Sequence, residues 1–154
     1  MKNILSVLIV VIVCTSIPGI TTASGRDRKI SSKNVLVETE SFQHKGGWVV
    51  DQQFTDQMGS PYLMAHGLGR PVEDAETTVT FPETGDYYVF VRTFNWTSPW
   101  LAGEGPGKFR LLVNGSPVGP ELGTNGASWF WQPAGSVTIP GNKELQRIGS
   151  PAYF

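Results

Sequence analysis

The stretch "AETTVTFPETGDYYVFVRTF", Ala75 to Phe94, decides the fold class. Ala75, Thr77, Val79 and Phe81 alternate with Glu76, Thr78 and Thr80; further on, Tyr87, Val89 and Val91 alternate with Tyr88, Phe90 and Arg92. A two-residue period marks strands with one buried face. "PETGD" (Pro82 to Asp86) between them carries turn residues, so the segment reads as a β-hairpin.

The same signal extends in both directions. Downstream, "KFRLLVNG" sets Phe109, Leu111 and Val113 on one face and ends in Asn114-Gly115, the dipeptide best suited to left-handed turn positions. A second hairpin is expected there, with a return strand weakened by the two prolines of "SPVGPELG", followed by short strands in "ASWFWQ" and "GSVTIPG". Upstream, "VLVETESF" puts Val35, Val37 and Thr39 on one side and Leu36, Glu38 and Glu40 on the other. No stretch keeps helical periodicity beyond two turns, and no βαβ alternation occurs. The architecture expected is an all-β sandwich over residues 35–140, with Val37, Val79, Phe81, Val89, Val91, Leu111 and Val113 facing inward. After Ile139 the chain reads "PGNKELQRIGSPAYF", an atypical tail (141–154) with no alternating run for a closing strand, so exposed edges are expected.

Composition supports a loop-rich globular chain. Its 154 residues are 40% hydrophobic and 16% charged, with 18 Gly and 11 Pro, room for one ordinary domain. A formal net charge of −1 without basic runs gives no footprint for nucleic acid. At the N-terminus, Lys2 precedes the apolar run "ILSVLIVVIVC" (Ile4 to Cys14), and "TTAS" offers small residues for cleavage after Ala23. Residues 1–23 therefore read as a signal peptide and 24–34 as an exposed leader, which implies export to the periplasm or medium; an uncleaved anchor is the alternative. Cys14, the only cysteine, lies inside the apolar run. Cleavage would leave no thiol for a disulfide, a nucleophile or a thiolate metal site, and the bulky "VIV" ahead of Cys14 is unlike a lipoprotein signal.

The order "VLVETESF … WVVDQQFTDQMGSPYLMAHGLG … VTFPETGDYYVFVRTFNW … FRLLVNG … WFWQ" resembles the N-terminal β-sandwich module of secreted bacterial FAD-dependent oxidoreductases, some of them labelled xanthan lyases. The resemblance covers roughly residues 35–137. The segments "TVTFPETGDYYVFVRTFN" and "LLVNG" are similar more widely to jelly-roll carbohydrate-binding modules. It implies a jelly roll, glycan as ligand, and an oxidoreductase domain or subunit as partner. The flavin domain itself is not expected here: the only glycine cluster, "GEGPGK" (Gly103 to Lys108), contains proline and lacks a βαβ setting for a dinucleotide. FAD thus belongs to the full-length family and no cofactor is expected in this chain, whose tail suggests truncation, a frameshift or a split gene.

The resemblance also implies a structural calcium ion at the opening Glu-x-Glu, here Glu38 and Glu40. On a strand these carboxylates would stand about 7 Å apart, part of the six to eight oxygens calcium takes; the plain alternative is a pair of solvated carboxylates. Trp96 and Trp100 sit in the loop "NWTSPWLAGEGPG", where flat rings suit the C–H faces of a pyranose while Arg92 and Asn95 take hydroxyls. Tyr88 shares the face of Phe90 and Arg92, so sheet face and loop would form one groove. Rings capping the end of a small sandwich are the alternative. Trp129 and Trp131 share a face and read as core or sheet surface.

Gly46, Gly47, Gly59, Gly67, Gly69 and Pro61 forbid a long helix through Gly46 to Gly69. That segment is expected to be a strap with one turn over Asp51 to Met58, pinned by Trp48, Phe54, Met58, Tyr62 and Leu63. Trp48, Asp51, Gln52, Gln57 and His66 would offer a contact surface. His44 and His66 lack a third partner for a transition metal, and no serine occupies a nucleophile elbow. The expected function is an exported, non-catalytic carbohydrate-binding module. The rivals are a docking domain that supports a flavoprotein without binding sugar, and a subunit of an oxidoreductase completed by another chain.

Overall fold

The computed structural model describes residues 34–65, 71–95 and 107–140, together with the backbone of residues 6–13 and 146–153. In chain order the elements are β1 (Ser6–Val13), β2 (Asn34–Val37), a 3-10 turn (Thr39–Ser41), β3 (Trp48–Asp51), α1 (Thr55–Met58), β4 (Tyr62–Ala65), β5 (Val72–Val79), β6 (Gly85–Phe94), β7 (Lys108–Val113), β8 (Ser116–Leu122), β9 (Phe130–Ile139) and β10 (Gln146–Tyr153). The fold is all-β. One sheet has six strands in the order β3-β4-β1-β6-β9, with β2 also paired to β1; the other has four, β5-β10-β7-β8. Among the described residues no helix is long and apolar enough to cross a membrane.

The inward faces read from alternation are buried: Val37, Val79, Phe81, Val89, Val91, Leu111 and Val113 all lie in the core. Except for Val113 they belong to one apolar cluster, joined from both sheets by Phe42, Trp48, Leu63, Tyr87, Phe109, Leu122 and Ile139. Fully burying such a side chain contributes about 1.5–3 kcal/mol, so this cluster joins the two sheets in one core.

The expected hairpin over residues 75–94 is a crossing between sheets instead. β5 lies in the smaller sheet and β6 in the larger. Phe81 and Tyr87 meet edge to face with ring centroids 4.6 Å apart, and the Tyr87 hydroxyl donates to the Glu83 carbonyl at 2.8 Å. Alternation establishes that each strand has a buried face but not which strand is its neighbour. Both rings are buried at this crossing, and Pro82 has no N–H for a ladder. The second hairpin is present. Asn114 (φ 51) and Gly115 (φ 79) occupy the left-handed region and set Val113 opposite Ser116. Its return strand, β8, tolerates Pro117 and Pro120 because it is the last strand of its sheet. The two short strands expected after it are one, β9.

The tail after Ile139 does contain a strand. β10 lies between β5 and β7, and its register shifts between Ser150 and Ala152, where Pro151 interrupts the ladder. That break, beside Gly149, hides the strand from a search for alternation. Ser6–Val13, which the sequence reading sets apart from the folded module, is β1, at the middle of the larger sheet. The strap, expected to be irregular, contains β3 and β4 as an antiparallel pair, Trp48 opposite Ala65 and Asp51 opposite Tyr62, with its helical turn (α1) between them.

Where β8 meets β9, Gly119 (φ 67) packs so tightly that a Cβ there would lie 2.1 Å from the Ala134 carbonyl oxygen, with Gly135 beside it. A groove of about 340 Å³ lies between β2 and β5, lined by Val35, Val37, Glu38, Thr77 and Val79 among others, and next to it the chain ahead of β3 closes on β5 through the His44–Glu76 bridge and the Gly47 N–H to the Glu73 carbonyl.

Candidate functional site

Strand alternation turns Tyr88, Phe90, Arg92 and Phe94 of β6 to the outer face of the larger sheet, away from buried Tyr87, Val89, Val91 and Thr93. The strap covers one end of this face. Phe54 meets Phe94 edge to face at 5.4 Å, Tyr62 lies 5.2 Å from Trp129, and Phe94 lies 5.6 Å from Trp129. Met58 and Tyr62 are buried in this second cluster, with Phe54 and Trp129 packed against them. The Tyr62 hydroxyl donates to Asp51 Oδ1 at 3.0 Å and accepts the Phe54 N–H at 3.1 Å. Burial, and then the Asp51 carboxylate, push this phenol up to about 12, so it stays neutral.

The cover stops at Arg92. Its guanidinium donates to the carbonyls of Met58 (3.0 Å) and Gln57 (3.2 Å), at the end of α1, and lies over the Trp131 ring at 5.9 Å from the centroid. Trp131 sits opposite Arg92 on β9, so both belong to the outer face. Beyond the cover, among the described residues, the face is exposed: Trp131 is 45% exposed, Tyr88 39% and Leu36 63%. Tyr88 stands four residues from Arg92 on the same strand face, roughly 13 Å away. The result is an open strip with an aromatic ring near each end and a fixed cation beside one of them.

The expected site residues fall into separate places. Tyr88 and Arg92 lie on the strip. Asn95 does not: it is fully buried, its Nδ2 donating to the Thr124 carbonyl at 2.8 Å and its backbone N–H to Gly126 at 3.2 Å, so it anchors the loop before β9 rather than meeting a ligand. Trp96, Trp100 and His66 lie outside the described residues. Trp48 is also corrected, being buried against Phe109 at 6.1 Å, edge to face, as part of the main core. Asp51 is half-buried and committed to Tyr62 and the Gln53 N–H (2.5 Å), whereas Gln52 and Gln57 are exposed on the strap. Trp131 is the residue that sequence reasoning left undecided between core and surface. Its position on an end strand, opposite Arg92, decides for the surface.

Glu38 and Glu40 do not share a strand face, since β2 ends at Val37 and the chain turns into the 3-10 segment. Glu38 is exposed and Glu40 half-buried. Burial first, and then the charge of Glu38, raise the Glu40 pKa, against hydrogen bonds to the backbone and to Ser60. Among the described residues Glu40 Oε2 has no hydrogen-bond partner. Among the described residues no group of three or more metal-ligating side chains comes together, so these two carboxylates supply only part of a calcium shell. A raised folded-state pKa means that the folded protein binds the proton more tightly than the unfolded chain. The contribution of Glu40 to stability is therefore fully present at acid pH, below the unfolded-chain pKa, and is lost as pH rises through the folded-state pKa. We expect Glu40→Gln to be more stable than the wild type at neutral pH and to lose that advantage at acid pH. Urea unfolding at several pH values measures this, and a constant difference would show that Glu40 does not carry the effect.

No protein-family model, curated protein or solved structure matches the chain. Its function is accordingly read from its own surface.

Proposed function

We propose that the chain is an exported, non-catalytic β-sandwich of jelly-roll type that binds glycan on the bare strip of its larger sheet. The observation that carries this reading is the pair Trp131 and Tyr88, two exposed rings on one sheet face, with Arg92 held beside Trp131 by the carbonyls of α1. Exposed aromatic faces suit the C–H faces of sugar rings. A guanidinium with N–H groups beyond those given to Gln57 and Met58 suits hydroxyls, and it is pre-positioned, so little side-chain entropy is lost on binding. Trp96 and Trp100, read from the sequence as sugar-stacking rings, belong to the same proposal. The association with a FAD-dependent oxidoreductase, as ancestor or partner, rests on the sequence resemblance alone. Structural calcium belongs to the same reading and draws support from the unpartnered Oε2 of Glu40.

The test is a glycan array followed by calorimetry on the wild type, Trp131→Ala, Tyr88→Ala, Trp96→Ala and Trp100→Ala. Losing a stacked ring removes about 1–3 kcal/mol by analogy with burial of a large apolar side chain, enough to abolish measurable binding by a weak module. We expect Trp131→Ala to show the largest loss. Undiminished binding by folded Trp131→Ala and Tyr88→Ala would place the site elsewhere. No binding to any glycan, together with co-elution with a flavoprotein, would establish the docking domain instead.

A further inference from the structure

β1 holds the larger sheet together. On one side it registers with β6 along its length, from Val7 opposite Phe94 to Val13 opposite Tyr88. On the other side its first residues pair with β4, Leu8 opposite Leu63, and its last with β2, Val10 opposite Val37. Among the described residues β2 pairs with no other strand, and β4 is joined otherwise only to β3. Without β1 this sheet would fall into a lone β2, a β3–β4 ribbon and a β6–β9 ribbon. The gap would be walled by two backbone edges, each an unpaired row of N–H and C=O groups. Buried residues flank it on both banks: Val37, Leu63 and Ala65 on one, Val89, Val91 and Thr93 on the other.

The segment that fills this gap, "SVLIVVIV", is also the centre of the apolar run read as an export signal. Cleavage after Ala23 would remove it. A sheet cannot lose its middle strand and leave both edges open beside a buried core, so export and folding together require a replacement.

We propose that the gap between β6 and the β2–β4 edge is a strand-accepting site. Ser6–Val13 occupies it in the unprocessed chain, and after cleavage an extended, uncharged, β-branched segment of a second polypeptide takes its place, antiparallel to β6. The second half of this statement rests on the reading that the chain is exported with cleavage. The occupant's chemistry is given by the strand seated there: eight residues without charge, mostly Val and Ile, which suit a pleated site. Main-chain hydrogen bonds to both banks supply the affinity, as in strand addition to a sheet edge, but on two edges at once.

The experiment uses the full chain with a specific protease site inserted between Ala23 and Asn34. After nicking, the protein is unfolded in urea and refolded with an excess of a labelled, lysine-flanked peptide carrying the Ser6–Val13 sequence, or with the same peptide bearing Val10→Pro. Val10 pairs on both sides, with Val91 and with Val37, so its N–H has a ladder partner whichever way it points, and proline removes that bond. We expect the parent peptide to co-purify with the refolded protein and the proline peptide to bind at least about tenfold more weakly. No uptake of the parent peptide by refolded protein, or equal uptake of both, overturns the site. Intact-mass analysis of the exported protein tests the other half separately. A chain starting at Ser24 supports the hand-over, whereas one starting at Met1 overturns it along with export by cleavage, and leaves the peptide result to speak for the slot.

Discussion

Tyr62→Ala should lower stability by about 3–5 kcal/mol, the range for removing a large buried ring, and should strip the cover from the outer face. Tyr62 is fully buried and joins three parts of the strap. Its ring packs against Phe54 at 6.3 Å and Trp129 at 5.2 Å, while its hydroxyl links Asp51 at the end of β3 to the Phe54 backbone ahead of α1. Without the ring, α1 loses its floor, and Arg92 loses the carbonyls of Gln57 and Met58 that fix it beside Trp131. Tyr62→Phe separates the two contributions: it keeps the packing and should cost only about 1–2 kcal/mol, the penalty of stranding hydrogen-bond partners. Urea unfolding of both variants gives the comparison. A loss in Tyr62→Ala no greater than in Tyr62→Phe would mean that the aromatic cluster does not hold the strap.

Gly46→Ala should cost about 2–5 kcal/mol, the sum of left-handed backbone strain and overlap in a packed site. Gly46 has φ 52, and a Cβ there would lie 2.4 Å from the carbonyl oxygens of both Glu73 and Asp74, backbone atoms of β5 that cannot swing aside. Close by, His44 donates to Glu76 at 3.0 Å and accepts from it at 2.7 Å, and the Gly47 N–H reaches the Glu73 carbonyl at 3.3 Å. The chain here closes the free edge of β5. Gly59→Ala is the control. Gly59 also has positive φ, 88, but nothing lies within 4 Å of its Cβ position, so only the left-handed backbone cost of about 1–2 kcal/mol remains. Equal losses in the two variants, measured by thermal or urea unfolding, would show that the approach to β5 is not tight.

What could be read from the sequence was local. Alternation placed Val89 and Val91 in the core and Tyr88 and Arg92 outside, because a strand's period is a property of a few neighbouring residues. Asn114-Gly115 announced its turn for the same reason. Partnership between distant strands left no such trace. Nothing in residues 75–94 says that Phe81 and Tyr87 meet between two sheets, and nothing around Asn95 says that Thr124 and Gly126 will take up its hydrogen bonds. Trp131 reads as surface only once β9 is known to be an end strand opposite Arg92. Trp48 reads as core only once Gly46 and Gly47 are seen to let the chain turn down against β5.

The meeting of Gly119 and Gly135 has a mechanical side. The two sheets meet at both margins through backbone with no side chain between: Gly119 and Gly135 where β8 meets β9, and Gly46 and Gly47 where the chain ahead of β3 meets β5. These glycines act as spacers without slack, so a side chain added at either margin must push the sheets apart. The thickness of the core is thereby set at its rims, by residues that contribute no side chain to it.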